Sequence, residues 1–227
     1  MVAGTSAGSV IGAGIAAGMT WRDLSELARG EFWPRLLHGP SLEHFCSRHF
    51  PHRFSDLRLP FAAVATAFPA KHPVSITTGN LASAISASCA MRVIRRRVRR
   101  EGYMLKDGGY TCVLPADVCR RMGADFVISS DVWEISSMLR GVGLGPVHPR
   151  ARRLYPRHYR VSLQNTDLHI HPRVPFAGYW PNDAGMERMI AAGERAARQA
   201  LARYMPSRKD SPAPQSNVRS SGSTARV

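Results

Sequence analysis

The chain has 227 residues, 44% of them hydrophobic and 21% charged, which suits a single sizeable core rather than a disordered or fibrous chain. A formal net charge of +15, from 31 lysines and arginines against 16 aspartates and glutamates, points to anionic partners such as nucleic acid or acidic lipid headgroups. Zinc-finger spacings and the aromatic signature of RNA-binding folds are both absent, so no nucleic-acid partner is expected.

Residues 1 to 21 carry no charge. A signal peptide needs a basic segment ahead of its apolar core, and nothing basic precedes Arg22. A membrane helix needs about 20 strongly apolar residues, whereas this stretch is mostly Gly, Ala, Ser and Thr. A close-packed buried helix over Val10 to Gly18 fits better, and Thr20 is placed to cap a second helix through Leu24 and Leu27. The default location is therefore cytoplasmic or at a membrane periphery.

Leu57 to Thr66 reads as a strand that becomes fully buried, and Val74 to Thr77 as a shorter alternating one ended by Gly79-Asn80. Leu81 to Met91 is predicted helical. Pro115 to Met122 reads as a helix feeding a buried strand over Ala124 to Val132, and Gly141 to Arg160 as a basic loop. Leu168 to His171 is a short strand stopped by Pro172, and Gly185 to Tyr204 an amphipathic helix. Helices alternating with buried strands predict an α/β layered fold with a largely parallel central sheet flanked by helices. This places a folded domain over residues 1–206 and a Ser/Pro-rich disordered tail over 207–227. Cys46, Cys89, Cys112 and Cys119 are scattered and form no C-x-x-C pair, so they read as buried free thiols.

Two stretches bear chemistry. Gly4-Thr5-Ser6-Ala7-Gly8 is a G-x-S-x-G motif. In a nucleophile elbow a strand turns sharply into a helix, the serine stands exposed on the turn, and the glycines remove side chains that would collide there. The helix end then points its positive dipole at the serine. A phosphate loop fits worse, because no lysine stands near. The second stretch is Asp107-Gly108-Gly109, which is either a tight turn or the site of a base for Ser6.

Taken together, Gly4-Thr5-Ser6-Ala7-Gly8-Ser9 and Asp107-Gly108-Gly109 resemble the patatin-like phospholipase family. Leu59-Pro60-Phe61 with Val64-Ala65-Thr66 is similar to its central strand, and Ala84-Ile85-Ser86-Ala87-Ser88-Cys89-Ala90 to its A-x-x-A-S-x-A helix. Leu114-Pro115-Ala116, Met122-Gly123-Ala124-Asp125 and Met189-Ile190-Ala191-Ala192-Gly193-Glu194 extend the likeness over roughly residues 2 to 204. The resemblance implies a patatin-like layered α/β fold and hydrolysis of phospholipid or lysophospholipid acyl esters. It implies Ser6 as nucleophile and Asp107 as base, supported by Gly4, Gly8, Gly108 and Gly109, with no cofactor or metal. An aspartate is a weak base near its ordinary pKa of about 3.9, and a partly desolvated site would bring it closer to neutral pH.

Two departures qualify the expectation. The family's glycine-rich oxyanion loop and first strand would lie upstream of Met1, so a truncated form is expected; the alternative function is a catalytically impaired, basic, membrane-associated binding protein. After Ala90 the family's apolar strand gives way to a run containing Arg92, Arg95, Arg96, Arg97, Arg99 and Arg100. That run is either a solvated face or, at Arg95, Arg96, Arg97, Arg99 and Arg100, a contact with anionic lipid. A rival triad of Ser6, Asp131 and His169 or His171 follows the α/β-hydrolase order. His169-Ile170-His171 also suggests metal ligation, but the sequence names no third ligand.

Overall fold

The computed structural model describes residues 1–29, 40–90, 98–100, 102–132, 157–172 and 182–209. Strand β1 (Val2–Thr5) turns at Ser6 into helix α1 (Ala7–Ala17). Gly18, at φ 90°, closes α1 in the left-handed conformation that glycine adopts without strain. Helix α2 (Trp21–Arg29) follows. The Thr20 N–H and hydroxyl both donate to Asp23, and the Asp23 N–H returns to Thr20 Oγ1, so the predicted cap is present. Helix α3 (Ser41–His49) and a 3-10 turn (Phe54–Asp56) lead to β2 (Phe61–Phe68) and β3 (His72–Ile76). Asn80 caps α4 (Leu81–Ser88) by accepting from the Ser83 N–H at 2.8 Å.

Strands β4 (Val98–Arg100) and β5 (Tyr103–Asp107) then precede a 3-10 turn over Gly108–Tyr110. Helix α5 (Ala116–Arg121), β6 (Ile128–Ser130), α6 (Arg157–Gln164), β7 (Leu168–Ile170) and α7 (Asp183–Lys209) complete the described elements. Helix α6 begins inside the segment expected to be a loop. The strand expected over Ala124 to Val132 is confined to three residues. None of the helices among the described residues is long and apolar enough to cross a membrane.

The chain is mixed α/β, but its main sheet is less parallel than the sequence suggests. Pairs β1/β2 and β6/β7 run parallel, whereas β2/β3, β2/β5 and β4/β5 run antiparallel. The physical reason lies in the links. Three residues join β2 to β3 and two join β4 to β5, lengths that allow a hairpin and exclude the crossover a parallel pair needs.

Strand β2 is the axis of this sheet and is buried over nearly its whole length. Phe61, Ala63, Ala65 and Ala67 face a core with Val10, Ala13 and Ala16 of α1, Leu42 and Phe45 of α3, and Leu81 and Ile85 of α4. Ala62 and Val64 face a second cluster with Cys112 and Val118. The small residues let helices lie close: a Cβ at Gly12 would sit 3.0 Å from the Phe61 ring.

The register of β2 decides where the ends of β1 and β5 fall. Strand β3 pairs with Ala63–Ala67 along one edge. Strand β1 covers Phe61–Val64 and β5 covers Ala65–Phe68, so these two share the opposite edge end to end. Thr5 is opposite Val64 and Asp107 is opposite Ala65, which brings the two strand ends together. Close approach then restricts the residues at the junction. A Cβ at Gly4 would stand 2.2 Å from the Gly8 carbonyl oxygen, and one at Gly108 2.2 Å from the Val64 carbonyl oxygen. A Cβ at Gly8 would meet nothing within 4 Å, so the collision expected at both elbow glycines occurs only at Gly4. Gly4→Ala and Gly108→Ala are each expected to destabilise the fold by about 1–3 kcal/mol or more, because backbone rather than a side-chain tip must move. Gly8→Ala should change stability by less than about 1 kcal/mol. Urea denaturation of the three variants checks this contrast, and equal losses at all three positions would contradict it.

Candidate active site

Ser6 occupies the turn between β1 and α1 at φ 53° and ψ −127°, a left-handed conformation that costs a non-glycine residue energy. The surroundings hold it there. Its N–H donates to Ser88 Oγ at 2.9 Å, and Ser88 Oγ donates to the Val64 carbonyl at 2.6 Å. Its carbonyl accepts from both the N–H and the hydroxyl of Ser9, each at 2.7 Å. Thr5 Oγ1 donates to the Cys112 carbonyl at 2.9 Å. The turn is thus fixed from the central strand, from α4 and from the first turn of α1.

The Ser6 hydroxyl donates to Asp107 Oδ2 at 2.7 Å. The other carboxylate oxygen, Oδ1, accepts from the Gly109 N–H at 2.8 Å. Backbone bonds set the rest of Asp107: its N–H donates to the Ala90 carbonyl at 3.0 Å and its carbonyl accepts from Thr66 Oγ1 at 2.9 Å. Thr66 Oγ1 is also 2.8 Å from Thr111 Oγ1. Asp107 is 7% exposed, and burial pushes its carboxyl above the usual carboxylate range, while the bonds from Ser6 and Gly109 pull it part of the way back.

The arrangement is a hydroxyl poised for transfer of its proton to a fixed, partly desolvated carboxylate. Ser6 is half-buried. Ala7 and Gly8 head α1 and are exposed. The first N–H groups of a helix lack intrahelical acceptors and point toward whatever anion forms nearby.

The sequence-predicted residues divide clearly. Ser6, Asp107, Gly4, Gly108 and Gly109 come together at one junction, with Gly8 on the first turn of the adjoining helix. Asp131, His169 and His171 gather around one another at β6 and β7, and the side-chain partner of Ser6 is Asp107 rather than a histidine. Of the basic run, Arg95, Arg96 and Arg97 lie outside the described residues. Arg99 is exposed, whereas Arg100 is half-buried and donates to the carbonyls of Asn80 at 3.0 Å and Thr78 at 2.5 Å. Sequence reasoning assigned no role to Ser88, Thr66 or Thr111. Thr66 carries a signal as the polar residue of an otherwise apolar strand, whereas Ser88 is one of three serines in α4 and nothing local distinguishes it.

No protein-family model matches the chain. Over 82 residues, 35% of its length, the chain is 38% identical to the patatin-like phospholipase domain-containing protein 7 of Mus musculus. The same identity holds over 82 residues of the protein of that name from Rattus norvegicus. The match spans 6% of the length of either relative, so the chain is similar to a small part of two much larger proteins.

Proposed function

We propose that this chain is a serine hydrolase of lipid acyl esters, acting on phospholipids or lysophospholipids, with Ser6 as nucleophile and Asp107 as general base. The observation that carries the reading is the 2.7 Å bond from the Ser6 hydroxyl to Asp107 Oδ2, made from a strained strand-to-helix turn. The partial similarity to proteins named for a patatin-like phospholipase domain supports the substrate class.

In this mechanism Asp107 Oδ2 takes the proton from Ser6 Oγ as the oxygen adds to the ester carbonyl. Oδ1 stays bound to the Gly109 N–H, so the carboxylate need not reorient during transfer. The developing oxyanion is stabilised by the N–H of Ala7, the residue after the nucleophile, and by the positive end of α1. Collapse expels the alcohol, to which the Asp107 carboxyl returns the proton, and leaves an acyl-Ser6 ester. Water activated by the same carboxylate then releases the fatty acid and regenerates Ser6.

Release of p-nitrophenol from a short-chain ester, and of fatty acid from phosphatidylcholine and lysophosphatidylcholine, tests the assignment. Ser6→Ala should lower kcat/KM by at least about 10³-fold; hydrolysis at the wild-type rate by that variant would rule the reading out. Asp107→Asn should cost about 10²- to 10⁴-fold.

The pH dependence has a definite sign. Asp107 must be ionised to act as base, so kcat/KM should rise with pH through a value above the ordinary carboxylate pKa of about 3.9. Stability runs the other way. A raised folded-state pKa means the favourable contribution of the protonated carboxyl is fully present below the unfolded value and is lost as pH rises through the folded one. Asp107→Asn, which removes that buried charge, is therefore expected to match or exceed the wild-type Tm at pH 7 while losing activity. A marked drop in its Tm would contradict the burial argument.

Ser88→Ala removes the acceptor for the Ser6 N–H without touching the reacting oxygens. It is expected to lower kcat about tenfold or more by loosening the turn, measured on the same short-chain ester; an unchanged kcat would show that Ser88 does not position Ser6.

A further inference from the structure

Strands β6 and β7 pair with Ser129 opposite His169 and Ser130 opposite Ile170. Asp131 continues past β6, and its N–H donates to the Ile170 carbonyl at 3.3 Å. His169 lies in β7 and His171 one residue past its end. Their rings stack with centroids 5.8 Å apart and planes 24° from parallel. The Asp131 carboxylate reaches both: Oδ1 is 2.9 Å from His171 Nδ1, and Oδ2 is 3.6 Å from His169 Nε2. One donor atom from each of the three side chains lies within 4.8 Å of the other two.

We propose that Asp131, His169 and His171 bind a divalent transition-metal ion of the zinc type, with coordination positions left open toward the cavity between β7 and α7. Two imidazoles and one carboxylate are the donors that such ions favour.

The surroundings orient these donors as metal ligands are commonly oriented. Ser129 Oγ is 2.8 Å from His169 Nδ1, which holds that ring with Nε2 facing Asp131. The buried Tyr159 hydroxyl donates to Asp131 Oδ2 at 2.7 Å and fixes the carboxylate. Access is also present. The carboxylate is buried, but the His169 and His171 side chains are 28% and 29% exposed. They line a cavity of about 400 Å³ with Gln199, Arg203 and Tyr204 of α7. Bonds of about 2.0–2.2 Å at tetrahedral angles place donor atoms roughly 3.3–3.6 Å apart, so the His171–Asp131 pair at 2.9 Å must open slightly while the His169–Asp131 pair at 3.6 Å is already close to that spacing.

The test is titration of the full, metal-free chain with Co²⁺, followed by visible absorption, and with Zn²⁺ by calorimetry. One ion per chain is expected. His169→Ala, His171→Ala and Asp131→Asn should each weaken binding about tenfold or more, while His52→Ala, at an exposed histidine elsewhere, should bind as the wild type does. Ser6→Ala should also bind normally, so this proposal and the hydrolase assignment stand or fall separately. Because a substitution can disturb folding, paramagnetic broadening by Co²⁺ is read in the unsubstituted chain as well, where the ring signals of His169 and His171 should disappear first. Absence of binding by the intact chain, wild-type affinity in the three ligand variants, or broadening centred on other histidines would each overturn the proposal.

Discussion

The site depends on how one edge of β2 is divided. A strand's edge offers a fixed series of backbone groups, and here β1 takes those of Phe61–Val64 while β5, arriving from the opposite direction, takes those of Ala65–Phe68. Two strands entering head-on along one edge must stop where they meet, and both stop between Val64 and Ala65. Ser6 leaves the end of one and Asp107 closes the end of the other, so residues 101 apart in sequence share a 2.7 Å bond. Backbone pairing fixes their separation before either side chain chooses a rotamer. The glycines follow from the same crowding, because at Gly4 and Gly108 the backbone approaches backbone more closely than a Cβ allows.

Holding a carboxylate in that junction has a cost, and the neighbouring hydrogen bonds reduce it. Burial disfavours the Asp107 anion, whereas the Ser6 hydroxyl and the Gly109 N–H favour it. A deeper site with fewer donors would keep the carboxyl protonated, which the proposed role as base excludes. A wetter one would leave it a weak base that holds no geometry. Thr66 and Ser88 maintain the balance without adding charge: both are buried in the layers around β2, one bonded to the Asp107 carbonyl and the other linking the Ser6 N–H to Val64. Neutral hydroxyls satisfy buried backbone groups at little desolvation penalty.

Much of this was legible in the sequence, for reasons that particular residues show. The small and apolar run over Phe61–Phe68, broken only by Thr66, marked a strand covered on both faces, and Thr20 marked a helix start through its local chemistry, whereas Asn80, read as the end of a strand, also caps α4. The Ser6 and Asp107 pairing was implied only by the resemblance that the two motifs carry together, since Asp107-Gly108-Gly109 taken alone reads as well as a tight turn. Strand direction was not legible, since an apolar run reads alike in either sense and only the short links after Phe68 and Arg100 carried the answer. Helix α6 was hidden because its charged first residues look like loop. The Asp131, His169 and His171 cluster was hidden for a different reason. Each residue had been singled out, but the contact depends on the parallel register of β6 and β7 across 38 residues or more, and hydropathy does not encode register.

The excess of basic residues also looks different once their partners are named. The Arg100 guanidinium is bonded to the carbonyls that precede α4, and it crowds Gly79, where a Cβ would come within 2.7 Å of Nη2. Arg120 donates to the carbonyls of Ala124, Asp125 and Asn165 and pairs with Asp167, tying α5 to the loops around β6 and β7. These guanidiniums act as multi-pronged donors to backbone carbonyls at the ends of chain segments, a task that suits arginine better than lysine. Hydrogen bonds to neutral carbonyls leave a guanidinium's charge in place, so a basic residue can tie segments together and still add to the field at the surface. Arg99 is exposed, whereas Arg100 is held to the segment ahead of α4, so the two differ in freedom to reach an anion rather than in charge.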